Sequence, residues 1–98
     1  MATKHAKASR EQRVAVGEDL RIGRARAVFE SLDAVPPRAT VVIDASSVSK
    51  IDAAGLQALA ACVGRWRAAG RAWRWDNPAE PLQAAARQAG LEATLGLE

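Results

Sequence analysis

One stretch constrains this chain most. Val41-Val42-Ile43-Asp44 runs into the polar Ala45-Ser46-Ser47-Val48-Ser49-Lys50-Ile51 and then into Asp52-Ala53-Ala54-Gly55-Leu56. Three consecutive β-branched residues mark a strand buried on both faces, the kind found inside parallel sheets. Asp52 stands where a carboxylate accepts hydrogen bonds from the free amides of a first helical turn. Behind it Leu56, Leu59, Ala60 and Val63 recur at helical spacing. The chain is therefore expected to pass from a buried strand through a short loop into a capped helix, ended at Ala69-Gly70, where glycine can take the left-handed conformation. Arg71–Trp75 alternates and reads as the next strand, with Trp73 and Trp75 on one face. Strand, helix and strand in that order imply a parallel pair joined by a crossover.

The remaining elements follow from periodicity and punctuation. Arg13–Val16 and Leu20–Ile22 alternate around Gly17-Glu18-Asp19, which predicts a hairpin. From Arg24 the period lengthens, and Ala27, Val28, Phe29, Leu32 and Ala34 suit an amphipathic helix that Pro36-Pro37 ends. Asn77 as cap, Pro78 in the first turn and Glu80 three residues after the cap predict a third helix. Leu82, Ala85, Ala86 and Ala89 would form its inner face, with Gly90 as its stop. Leu91, Leu95 and Leu97 suggest a docking segment, such as a short helix. The expected fold is α/β: a small sandwich with a mixed sheet of about four strands and helices packed on it, in the order β-β-α-β-α-β-α.

The 98 residues, 49% hydrophobic and 26% charged, fit one globular domain. Charge is unevenly placed. Met1–Arg13 carries Lys4, Lys7, Arg10 and Arg13 against Glu11, which accounts for the whole net charge of +3. Residues 1–12 read as a flexible basic tail and residues 13–98 as the domain. Without aromatic residues that tail is a weak nucleic-acid footprint, and no DNA partner is expected. A single cysteine, Cys62, excludes an internal disulfide and reads as a small hydrophobe. With one histidine, His5, in the tail, neither a metal cage nor a nucleophile with its positioned base can be assembled. No phosphate-cradling glycine motif occurs, so no cofactor is expected. No apolar run suits a membrane span or a secretory leader, and the expected location is the cytoplasm.

Together, Asp44-x-Ser46-x-Val48-x-x-Ile51-Asp52-x-x-Gly55-Leu56, Ala69-Gly70, Trp75-x-Asn77-Pro78 and Ala89-Gly90-Leu91 resemble the STAS domain, the family of sulfate transporters and anti-sigma factor antagonists. The resemblance spans residues 13–97, in the manner of a stand-alone bacterial member. It implies a non-catalytic protein-interaction module and no enzyme. In anti-sigma antagonists the loop before the second helix and the start of that helix dock on a partner. A serine or threonine directly after the capping aspartate is phosphorylated to break the complex. Here that position is Ala53, and Ala54 has no hydroxyl either. A phosphate there would bring nearly two negative charges into a docking surface, so its absence implies constitutive binding, or control from the partner's side.

The partner-binding residues implied are Ser46, Ser47, Ser49, Asp52, Ala53, Ala54, Gly55, Leu56 and Gln57. The partner implied is an anti-sigma or kinase-like protein in transcription regulation, or a chemotaxis or two-component signalling protein. The alternative is an accessory subunit of an ABC-type lipid-trafficking transporter, docked on its ATPase. Loop serines are commonly there for turn chemistry, which outweighs reading Ser46, Ser47 or Ser49 as a phosphorylation site. Asp52 is first a helix cap, and Gly55 suits a place where a side chain would crowd a neighbouring strand or partner. Trp66, between Arg65 and Arg67, has an interface-anchor reading as the less favoured of two.

Overall fold

The computed structural model describes residues 10–97. Its elements run β1 (Glu11–Ala15), β2 (Asp19–Leu20), α1 (Ile22–Asp33), β3 (Thr40–Asp44), β4 (Lys50–Ile51), α2 (Ala53–Ala68), β5 (Trp73–Asp76), α3 (Glu80–Ala89) and α4 (Glu92–Leu95). Most of the expected tail lies outside the described residues, and β1 already begins at Glu11, ahead of the expected domain start.

The α/β architecture is the expected one, with β3 at the centre of a sheet ordered β1-β3-β5. Every recorded pairing is parallel. The hairpin expected around Gly17 does not form. Instead Val16 N–H donates to Asp44 O at 3.1 Å, so β1 stays in register with β3. Gly17, at φ +80°, then turns the chain away. The carbonyl of Glu18 accepts from Ser49 and Lys50 N–H at 2.9 and 3.0 Å, which seats β2 beside β4 in a separate parallel pair.

The sheet has two unlike faces. Register places Val14, Ile43 and Trp75 in one row and Val41 beside Trp73 in the next. These pack into a core with Val28 and Leu32 of α1, Leu59, Val63 and Trp66 of α2, Leu82 and Ala86 of α3, and Leu95 of α4. On the other face Arg13, Val42 and Arg74 form a row. Arg13 pairs with Asp76 and, at 3.6 Å, with Asp44, while Arg74 pairs with Glu11 at 3.0 Å. The arginine stems flank Val42, which is 1% exposed and stands apart from the main core cluster.

Two local expectations are corrected. Ile22 opens α1 and does not end a strand, for a reason given below. Asn77 takes the left-handed region, φ 54°, and the third helix starts later, with Ala79 as its cap. The interface-anchor reading of Trp66, already the less favoured, does not hold: the residue is 4% exposed and tilts against Trp73 with ring centroids 6.2 Å apart. The expected stops at Gly70 and Gly90 are left-handed, and the C-terminal leucines dock through α4, where Leu95 O accepts the Trp75 indole N–H at 2.7 Å.

Candidate functional site

The loop from β3 to α2 is pinned at both ends. Asp44 Oδ1 accepts the Ser46 hydroxyl at 2.7 Å and its amide at 3.1 Å, a turn that a short acidic side chain at a strand end favours. The Ser46 hydroxyl is the first cause holding the Asp44 carboxyl below its ordinary range. Val48 is buried beneath the loop, whereas Ser46, Ser47 and Ser49 are exposed.

Asp52 then does double duty. Its Oδ1 accepts the Gly55 amide at 3.0 Å, capping α2, and its Oδ2 accepts the Ile22 amide at 2.9 Å. Arg21, at the cap position of α1, offers that helix no side-chain acceptor, so Asp52 supplies it from across the fold. The Gly55 amide first, then that of Ile22, lowers the Asp52 pKa below the usual carboxylate value. Two helix starts are thereby locked side by side. At the other ends of α1 and α2, Arg65 pairs with Asp33 at 3.2 Å.

Gly55 fixes the depth at which α2 sits. A Cβ there would lie 1.7 Å from Leu20 O, so the glycine's reason is the neighbouring strand. Gly55 and Leu56 are both buried and face inward. Of the residues implied as partner contacts they therefore position the surface, while Ala53 and Gln57 stand exposed on it and Asp52 and Ala54 are half-buried.

A shallow groove beside this surface leaves no mark in the sequence. Ala25, Arg26 and Phe29 of α1 face Ala54, Gln57 and Ala58 of α2 across it. Ile22, one turn earlier on α1, is 77% exposed. Its place after Leu20 and Arg21 hides it in a strand-like alternation, and no nearby residue signals the helix start. A second groove on the opposite flank of α2 is lined by Ile51, Asp52, Ala53 and Leu56 with Ala85, Gln88 and Ala89.

Chemical equipment is sparse here. Cys62 is buried, and desolvation pushes its thiol up to about 11, away from nucleophilic use. Among the described residues no three metal-ligating side chains converge, and no helix is long and apolar enough to cross a membrane. His5 lies outside the described residues.

A family model described as "Mlab, STAS domain" matches residues 3–97. The chain belongs to the STAS family. No curated protein matches it in a comparison of sequences. STAS domains are generally non-catalytic modules that bind other proteins, in the manner of anti-sigma antagonists, and the rigid, mostly uncharged start of α2 in this STAS domain is compatible with that use.

Proposed function

We propose that this STAS domain docks a regulatory protein partner, of the anti-sigma, kinase-like or signalling kind, through the loop 45–49 and the exposed start of α2. The observation that carries this reading is the pairing of rigidity with a bare surface. Asp52 and Gly55 fix the first turn, and the side chains it offers outward, Ala53, Ala54 and Gln57, carry neither charge nor hydroxyl. A rigid, uncharged dock loses little conformational entropy and little charge solvation on binding. Because Ala53 has no phosphoacceptor oxygen, phosphorylation at that position cannot release the partner, and binding is constitutive from this side.

Affinity capture from the source cells tests it. Ala53→Glu suits the fold, since an acidic residue in a first turn is favoured by the helix dipole. Loss of the captured partner in this variant therefore reports the surface. The same variant is predicted to lose capture while Arg38→Glu, in the loop before β3, retains it; retention by both would refute the assigned dock. The identity of the captured protein decides between partner classes, an ATPase with its permease indicating a transporter subunit in place of a signalling adaptor.

A further inference from the structure

We infer that the open edge of β1 takes a second protein ligand, an extended peptide that adds as a parallel strand and whose free C-terminal carboxylate is held by Arg24. Sheet order leaves β1 at an edge, paired with β3 alone. Arg10 O accepts the Thr40 amide at 3.0 Å, and Val16 N–H donates to Asp44 O at 3.1 Å. Alternate residues of a parallel strand bond the same neighbour, so Arg10, Gln12, Val14 and Val16 turn their backbone groups toward β3. Glu11, Arg13 and Ala15 turn theirs off the edge. All three residues are exposed, and among the described residues their amides and carbonyls bond no other element. Such a row of free donors and acceptors is a template for one more strand. Charged side chains can guard an edge of this kind. Those of Glu11 and Arg13 instead lie over the sheet face, drawn to Arg74 and Asp76.

A cleft between this edge and α1 specifies the peptide. Val14, Val16 and Val28 line its narrow part, about 90 Å³, with Ala27 and Ser31 of α1 beside them. That volume is smaller than the roughly 150 Å³ that holds a benzene ring, so it suits one valine-sized side chain of the added strand. Arg24 and Gly17 continue the wall into a wider part of about 520 Å³, which Ser47 also lines. Gly17, at φ +80°, carries the chain away from the sheet there and leaves the end of β1 open. Arg24 is the third residue of α1, where the helix dipole disfavours a cation, and among the described residues it forms no ion pair. Local helix stability gives no reason for it, whereas recognition of a carboxylate does. The acids beside it are Asp19, whose two oxygens Arg21 engages, and Glu18, whose charge opposes an incoming carboxylate and moderates affinity. Parallel addition brings the peptide's last residue beside Ala15 and Gly17, at the carboxyl ends of the strands, where open α/β sheets bind ligands. Antiparallel addition would bring its amino end to Arg24.

The test uses the full chain, isotope-labelled for amide resonances, and a short peptide of alternating threonine and valine with a free carboxylate, beside its amidated twin. The acid is expected to shift the amides of Glu11, Arg13, Ala15, Gly17 and Arg24 and to bind about tenfold more tightly than the amide. Arg24→Gln is expected to erase that margin, and Glu18→Gln to widen it. Ala15→Pro deletes one outward amide, which an edge strand tolerates. It is expected to weaken both peptides about tenfold while the remaining amide pattern of the fold is retained. Equal binding of acid and amide, shifts confined to Ala53, Ala54 and Gln57, or no shift at millimolar peptide would overturn the inference. Slow exchange of the Glu11, Arg13 and Ala15 amides in the free monomer would overturn it too, since the edge would already be covered. Protection there that grows with protein concentration would do the same, assigning the edge to a second copy.

Discussion

Asp52 Oδ2 lies 2.9 Å from the backbone nitrogen of Ile22, so the residue that caps the second helix also caps the first. One carboxylate thus sets the mutual placement of both helices that border the dock. Asp52→Ala removes both acceptors, whereas Asp52→Asn retains one carbonyl oxygen and can satisfy one amide. Urea unfolding is expected to rank the midpoints wild type, then Asp52→Asn, then Asp52→Ala, with the alanine variant also losing hydrogen-exchange protection at the start of α1. Equal midpoints for all three would remove the double cap from the account.

Acid should weaken the fold in a defined window. Asp19 is held down to about 2 by hydrogen bonds from the Arg21 side chain and backbone. Asp52, Asp44 and Glu11 are also held below their ordinary values, by the Gly55 amide, the Ser46 hydroxyl and the Arg74 guanidinium respectively. A folded-state pKa below the unfolded one contributes stability above the unfolded value, about 4 for these side chains, and loses it as pH falls through the folded value. The urea midpoint is therefore expected to be level near neutrality and to fall below about pH 4. Asp52→Asn should flatten that fall.

The same substitution at two glycines of α2 should have opposite signs. Gly55→Ala puts a methyl group on Leu20 O, a backbone atom that cannot swing aside, and overpacking of this kind destabilises by about 3 kcal/mol. Gly64→Ala meets nothing within 4 Å at an exposed helical site and should stabilise by about 1 kcal/mol through helix propensity. Paired urea titrations check both.

Much of this was legible in residue order because the signals were local. Asp52 stands directly before the helix it caps, Gly90 directly follows α3, Gly70 follows the Ala69 cap of α2, and Val41-Val42-Ile43 is buried whatever its neighbours. What stayed hidden depends on distant atoms. The acceptor that starts α1 at Ile22 is thirty positions away, which left Ile22 looking like the end of a strand. The partner of β1 is β3, far along the chain, while a nearby Gly-containing turn offered a plausible hairpin. Trp66 lies between two charged residues in sequence, yet Arg65 reaches back to Asp33 and Arg67 lies over the Trp73 ring, so both charges leave the indole's inward face free. The groove beside the dock needs α1 and α2 together, so neither helix alone announces it.

Cys62 should be nearly inert in the folded chain. It is 2% exposed, and burial raises its thiol pKa, so both access and thiolate fraction are low. A disulfide-exchange reagent at neutral pH is expected to label it slowly in buffer and rapidly in urea. Fast labelling of the native chain would show that α2 opens far more readily than its packing implies.

Amide hydrogen exchange of the chain, alone and bound to its captured partner, tests the dock most directly. New protection is expected at Ser47, Ser49, Ala53, Ala54 and Gln57, with the charged sheet face around Arg13 and Arg74 unchanged. Protection confined to that sheet face, with the start of α2 exchanging as before, would contradict it.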